Sequence, residues 1–172
     1  MTGATTRPTN RRRAGVLAAI VALLAFALVA APASAPAAKA AKGGKGEKER
    51  IVALTPFSAN TLIKLGVKPV AIGEGQGGVM LDPKLKNVPR LPLSHSANGP
   101  SLEELASYDA DVVFSERTWR AGFSAIRDLG MRIVTADPYR VSSVPRKVRT
   151  IGKVVHQKKK ASKLAKQISG QI

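Results

Sequence analysis

Four short, mostly apolar runs divide the central part of the chain. They cover residues 51–54, 70–73, 111–115 and 132–135, and each is followed closely by a proline, glycine or polar turn residue. Runs of this length without polar alternation are typical of strands buried on both faces. The pattern therefore predicts four buried strands.

Apolar residues recur at helical spacing between these runs. Leu62 and Leu65 share one helix face, with Ser58 as the expected amino-terminal cap and Gly66 as the expected end. A second segment of this kind covers residues 120–129. Because strands and helices alternate, the sequence predicts an α/β, Rossmann-like lobe with a short parallel sheet flanked by helices.

A capping-box sequence opens another predicted helix. The hydroxyl of Ser101 can accept a hydrogen bond from the amide of Glu104, and the Glu104 carboxylate can reach back. Leu102 and Leu105 then lie on one face of this helix. Glu103 is expected to point away from that face into solvent.

The last thirty residues follow one helical pattern from about Val144. An apolar stripe continues to Ile172, and lysine and arginine cover the other faces. At a rise of ~1.5 Å per residue this helix would be roughly 40 Å long, which is more than one small domain needs. We expect one long interlobe-type helix over residues 143–172, in a chain that stops before a second lobe.

The first fifty residues have the layout of an export segment and a linker. Arginines at 11–13 precede an uncharged apolar run of 18 residues, and small residues follow up to position 35. Residues 1–35 are therefore expected to be a signal peptide or, alternatively, a membrane anchor. Residues 36–50 are predicted to be a basic flexible linker, and residues 51–142 an exported binding lobe that is periplasmic, secreted or at the cell surface.

Composition narrows the chemistry. The chain has no cysteine, which excludes disulfides, thiolate metal sites and a cysteine nucleophile. The formal net charge is +17, and all 11 acidic residues lie after residue 35. This balance favours an anionic partner such as an acidic cell-wall polymer, an acidic membrane or an acidic ligand.

The carboxyl ends of the predicted strands indicate where a ligand would bind. Four loops follow from that geometry, at residues 55–58, 74–78, 115–119 and 137–140. Their aromatic and arginine side chains suit a flat, anionic or metal-chelate ligand through stacking and charge-assisted hydrogen bonds. The alternative for the single tryptophan is packing on the following helix. The candidate ligand contacts are Pro56, Ser58, Arg117, Trp119, Tyr139 and Arg140.

Other kinds of site find less support. His95 lies in a predicted loop, and the sequence contains only one other histidine, His156, so no metal site is predicted. The glycine-rich segment 73–78 lacks the spacing of a nucleotide-binding loop. No nucleophile elbow or other catalytic arrangement is recognisable, so neither an enzyme nor a cofactor is expected. Nucleic acid is not an expected partner, because no aromatic residues are interleaved with the lysines of the last helix.

Several segments together resemble a known family. The most telling are RIVALTP at 50–56, NGPSLEEL at 98–105, DADVV at 109–113 and LGMRIV at 129–134. Shorter segments that add to the resemblance lie at residues 65–67, followed by 70–73, and at residues 151–153, 160–161 and 164–165. In this order and spacing, residues 50–172 resemble the amino-terminal lobe of an ABC-importer periplasmic substrate-binding protein of the iron–siderophore and cobalamin (vitamin B12) type.

The resemblance implies a fold and partners. In that family, two lobes joined by a long helix hold the ligand between them, and a surface glutamate on each lobe docks onto the membrane permease. Glu103 matches the first-lobe glutamate by position. The sequence departs from the family after Pro56, where it reads Ser58-Ala59-Asn60, and in the loop 74–78, which lacks the usual aromatics. It also contains no counterpart of the second lobe.

We therefore expect an exported, single-lobe substrate-binding protein of an ABC importer for iron–siderophore, haem or cobalamin-like chelates. Two alternatives stand beside it. One is a basic exported module that binds acidic cell-wall polymer or membrane through its linker and last helix. The other is a non-functional gene fragment. Salt dependence distinguishes the chelate-binding protein from the polymer-binding module, because polymer binding should fall more steeply with ionic strength than chelate binding in a pocket.

Overall fold

The computed structural model describes residues 48–74, 81–93 and 99–172. The expected signal segment, most of the linker and His95 lie outside these ranges, and the loop 74–78 is described only at Glu74. Within the described ranges, no helix combines the length and the apolar character needed to cross a bilayer.

Five parallel strands form one sheet in the order β3-β2-β1-β4-β5. The four predicted strands are confirmed as β1, β2, β4 and β5. The edge strand β3 was missed, since it has only two residues and stands between Pro89 and Pro92. The strands are β1 (Ile51–Ala53), β2 (Ala71–Gly73), β3 (Arg90–Leu91), β4 (Val112–Ser115) and β5 (Arg132–Thr135).

Helices cover both faces of this sheet. Successive residues of a strand point to opposite faces, so Ile51 and Ala53 enter one core cluster and Val52 enters the other. The first cluster lies under α1, α4 and α5, and the second lies under α2 and α3. The predicted α/β lobe is confirmed. The α-helices are α1 (Pro56–Lys64), α2 (Leu102–Ser107), α3 (Phe123–Asp128), α4 (Val144–Val154) and α5 (Lys158–Ser169), with 3-10 turns at Pro83–Leu85, Arg117–Gly122 and Val141–Ser143.

The first helix begins earlier than the sequence suggested. Thr55 is its cap and accepts a hydrogen bond from the Ser58 amide at 3.3 Å. Pro56 occupies the first helical position, where its fixed φ is already helical and its missing N–H costs nothing. The prediction of Ser58 as the cap is therefore wrong, and Ser58 lies inside the first turn.

The second helix begins where the sequence predicted. Ser101 accepts a hydrogen bond from the Glu104 amide at 3.3 Å, as expected for a capping residue. The Ser101 hydroxyl in turn donates to the Glu103 carboxylate at 2.8 Å. Glu103 is exposed, which confirms its expected outward direction.

The prediction of one long helix over residues 143–172 is wrong, because two helices, α4 and α5, occupy this segment. His156 takes a positive φ of 57°, and the Gln157 amide donates to the Gly152 carbonyl at 2.8 Å. These are the features of a Schellman ending, in which a left-handed residue stops a helix. The chain then turns, and α5 packs against α4 with Ala161 directly over Gly152.

Candidate functional site

The order of the strands reverses between β1 and β4. From β1 the chain moves outward through β2 to β3, whereas β4 and β5 extend the sheet in the other direction. In open parallel sheets such a reversal opens a crevice at the carboxyl ends of the strands, and ligands bind there. The first polar residues after β1, β4 and β5 are Thr55, Glu116 and Asp137.

Thr55 links two of these strand ends. Its Oγ1 donates to Oδ1 of Asp137 at 2.6 Å, although the two residues are 82 positions apart. The same oxygen lies 2.8 Å from the Ser58 hydroxyl, and both residues are buried. This hydrogen bond holds the Asp137 carboxylate close to the amino terminus of α1, where the helix dipole favours a negative charge.

Two carboxyl groups share the crevice. Burial raises the pKa of Glu116, and the negative charge of Asp137 raises it further. Burial also raises the pKa of Asp137, against the lowering effects of the Thr55 hydrogen bond and the nearby Lys147 ammonium. Lys147 is held in place by a 3.3 Å hydrogen bond from its Nζ to the Thr135 carbonyl.

This arrangement is suited to binding through hydrogen bonds and charge. The carboxyl groups can accept hydrogen bonds from a ligand, and both are partly buried, which raises their pKa values. Across the described ranges, no three acidic or histidine side chains stand close enough together to hold a metal ion.

The six residues predicted to contact the ligand differ in their exposure to solvent. Ser58 is fully buried and donates to the Thr55 carbonyl at 2.9 Å, so its hydroxyl serves the first turn of α1. Trp119 is half-buried and packs on the second core cluster and on Gly99. The other four have exposed or partly exposed side chains, and among them Tyr139 is 67% exposed. These four are Pro56, Arg117, Tyr139 and Arg140.

The sequence did not single out Glu116, Asp137 or Lys147. Glu116 and Asp137 were inside the nominated strand-end loops, but the aromatics and arginines beside them gave the stronger pattern. The signal that could have found them is their place, since each is the first acidic residue after a buried strand. Lys147 carries no local signal, because its role depends on how α4 packs beside β5.

Glu103 lies apart from this crevice, on the first turn of α2. Its own backbone amide and the Ser101 hydroxyl lower the pKa of its carboxyl group. The side chain is therefore a negative charge at neutral pH, fully open to solvent.

Comparison with known sequences identifies the class of protein. The sequence profile described as periplasmic binding protein matches residues 51–172, and the chain belongs to this family. The family expected from the resemblance is thus confirmed. No curated protein matches the sequence.

Solved structures with the same fold include three substrate-binding proteins. An ABC transporter substrate-binding protein from Listeria monocytogenes has a TM-score of 0.61 at 22% identity, covering 72% of this chain and 46% of that chain. Staphylococcus aureus IsdE, complexed with heme, has a TM-score of 0.60 at 20% identity, with coverages of 72% and 46%. The periplasmic vitamin B12 binding protein BtuF of Vibrio cholerae has a TM-score of 0.59 at 17% identity, with coverages of 71% and 47%. The chain spans a little under half the length of each of these proteins.

Proposed function

We propose that this chain is the ligand-binding lobe of an exported substrate-binding protein that serves an ABC importer. Its ligand is an iron–siderophore, haem or cobalamin-like chelate, bound without covalent chemistry at the carboxyl ends of β1, β4 and β5. The observation that carries the proposal is the reversal of strand order between β1 and β4, where ligands bind in open parallel sheets, in a chain that belongs to the periplasmic binding protein family. Members of this family bind substrates rather than convert them.

The residues around the crevice support a polar chelate as ligand. Glu116 and Asp137 offer hydrogen-bond acceptors at its base, and Thr55 fixes the Asp137 carboxylate. Arg117 and Arg140 are exposed beside them and can donate to carboxylate or catecholate oxygens of a ligand. Tyr139 presents an exposed ring on which a flat chelate can stack.

Equilibrium titration tests the proposal. The full chain is titrated with a ferric hydroxamate siderophore, a ferric catecholate siderophore, haemin and cyanocobalamin, with the emission of Trp119 as the readout. We expect saturable binding of one chelate at micromolar concentration or below. Absence of saturable binding for all four would reject the proposal.

A pair of variants locates the binding. Arg117→Gln removes a cation at the carboxyl end of the sheet, and Arg90→Gln removes an exposed cation from β3 without touching the crevice. A lost charge-assisted hydrogen bond costs about 1.5–3 kcal/mol, so Arg117→Gln should weaken binding by about 10-fold or more. The Arg90→Gln variant should bind as the original chain does, and equal losses in both variants would place the ligand elsewhere.

The permease contact is proposed for Glu103. An exposed carboxylate on the first turn of a short, capped helix can pair with an arginine of a membrane partner. Glu103→Arg should weaken co-purification with a co-expressed ABC permease, while circular dichroism shows that the lobe remains folded. Asp128→Arg is the matched control, because Asp128 is an equally exposed acid at the end of α3. Unchanged docking of the Glu103 variant would reject this role.

Export is proposed to depend on residues 1–35, with 36–50 as a linker and 51–142 as the body of the lobe. Expression of the full chain in a bacterial host, followed by mass spectrometry of the exported product, tests this. We expect a new amino terminus after residue 33 or 35. An uncut chain in the membrane fraction would instead show that the segment is an anchor.

A further inference from the structure

The carboxyl-terminal helix pair bears a concentration of positive charge, most of which lies outside the chelate site. Ten of the 28 lysines and arginines lie after Pro138, and none of the 11 acidic residues does. None of the cations of α4 and α5 forms an ion pair with a described residue. Apart from the attraction between Lys147 and the Asp137 carboxylate, their mutual repulsion is therefore not offset by ion pairs within the described parts of the chain.

These cations form two ordered stripes. Arg146, Arg149 and Lys153 follow one another at positions i, i+3 and i+7 of α4. Such positions share one face of a helix. In α5, Lys159, Lys163 and Lys166 stand at positions i, i+4 and i+7 and share one face in the same way. The three side chains of each helix are all exposed. We call these six residues the basic surface; its α5 members are Lys159, Lys163 and Lys166.

The two stripes belong to one rigid pair of helices. Gly152 of α4 lies directly against Ala161 of α5, so that a side chain at Gly152 would overlap the Ala161 methyl group. The opposite sides of both helices are buried in the first core cluster, through Val148 and Ile151 on α4 and through Ala165 on α5. The basic surface is thus held outward by the fold and does not need to form upon binding.

Three properties bear on the occupant, and two of them favour a phosphate polymer over a membrane. Helices that lie in a bilayer interface insert an apolar face, and here the apolar faces are already buried in the core. Every cation of α5 is a lysine, which binds phosphate as a point charge, without the planar fork of arginine. The α5 cations also succeed one another about 6 and 4.5 Å apart along the helix axis, a spacing that an extended polyanion can follow.

We propose that the basic surface binds a linear phosphate polymer, independently of the chelate site. Binding is electrostatic and releases counterions, so the affinity falls steeply as salt is raised. An exported protein with this surface would be retained on phosphate-bearing polymer while its strand-end crevice remains open.

Two triple variants of equal charge test the proposal. The first is K159Q/K163Q/K166Q, which removes the α5 stripe. The second is K68Q/K84Q/K86Q, which removes three exposed lysines located outside α4 and α5. Glutamine is nearly as good a helix former as lysine, and circular dichroism checks that both variants remain folded. The probe is inorganic polyphosphate of defined length, titrated into the full chain and both variants at several salt concentrations.

We expect the α5 variant to bind polyphosphate at least about 10-fold more weakly. The slope of log affinity against log salt should fall by about 2, since each contact with a flexible polyanion contributes about 0.7. The control variant should stay within about twofold of the original chain, because it changes net charge alone. Equal losses in the two variants would overturn the proposal by showing that only net charge matters.

A vesicle arm addresses the membrane. Vesicles of phosphatidylglycerol and phosphatidylcholine are offered at the same total phosphate. Weaker binding to vesicles than to polyphosphate supports the proposal. It would be overturned if the original chain bound the vesicles and not the polyphosphate, or if it bound neither at low salt.

Discussion

The charged groups at the two ends of the same parallel sheet differ in the partners they have. At the amino end, the Arg50 amide donates to the Asp111 carboxylate at 2.7 Å, and the Arg50 guanidinium donates to the Tyr108 carbonyl at 2.9 Å. Arg132 pairs with Glu49 at 2.9 Å. At the carboxyl end, Glu116 and Asp137 are half-buried neighbours of like charge.

The difference separates groups that support the fold from groups that cost it stability. The charged groups at the amino end have hydrogen-bond or ion-pair partners near the surface, so each helps, modestly, to fix the start of a strand. The two acids at the carboxyl end are partly removed from water and repel each other, which raises the pKa of Glu116. Groups that oppose folding in this way are candidates for function, because perturbed acids of this kind cluster at functional sites.

The largest expected effect on stability comes from adding a side chain to a glycine at the carboxyl end of the sheet. At Gly73, the last residue of β2, an added methyl group would overlap the Leu54 carbonyl oxygen. This oxygen belongs to the backbone and cannot move aside, so Gly73→Ala should cost about 3 kcal/mol of unfolding free energy. Urea unfolding measures this value.

The control for Gly73 lies at the opposite end of the sheet. Gly66 follows α1 with a positive φ of 82°, and a methyl group there would meet only the flexible end of Lys160. Gly66→Ala should therefore cost about 1 kcal/mol, from backbone strain alone. A loss at Gly66 as large as that at Gly73 would contradict the tight packing assigned to the carboxyl end.

The next effect concerns the matched charges. Asp111→Ala removes the acceptor of the Arg50 amide at the start of β1 and β4. An exposed hydrogen bond of this kind contributes about 1 kcal/mol, and the variant should lose that amount in urea unfolding at neutral pH. A gain in stability would show that the charged groups at the amino end of the sheet do not stabilise the fold.

The smallest effect concerns the two carboxyl-end acids and depends on pH. Since burial raises both pKa values in the folded chain, folding favours the protonated forms. Their contribution to stability is fully present below about pH 4 and is lost as pH rises through the raised values. The variant E116Q/D137N, which keeps an acceptor for Thr55, should therefore gain stability over the original chain between pH 4 and pH 7.

Urea unfolding midpoints at pH 4 and pH 7 provide this measurement. The original chain and the variant should be nearly equal at the lower pH, and the variant should be the more stable at the higher pH. If the variant were instead less stable at pH 7, the two carboxylates would be supporting the fold in the way that Asp111 does.

How much of this could be read from the sequence depends on whether a feature is local. The four strands and the cap at Ser101 come from short apolar runs and a four-residue motif, and they are confirmed, although β5 is only partly buried. The edge strand β3 was missed because two residues between prolines make no run. The break between α4 and α5 was missed because a histidine, rather than the usual glycine, takes the left-handed conformation at position 156.

The candidate site was only partly accessible in the same way. Strand-end loops follow from the alternation of strands and helices, so the region was predicted. The hydrogen bond between Thr55 and Asp137 joins residues 82 positions apart, and no periodicity can encode such a pairing. Ser58 was chosen as a contact by its position in a loop, but it lies inside the first turn of α1, where its hydroxyl is buried.

Hydrogen–deuterium exchange, with and without the tightest-binding chelate, tests most directly whether the carboxyl end is the binding end. Ligand binding there should slow amide exchange at residues 55–58, 116–120 and 137–140. Exchange at residues 108–111 and 130–132, at the amino end of the same strands, should stay unchanged. Protection confined to the amino-end segments, or none at either end under saturating chelate, would contradict the account.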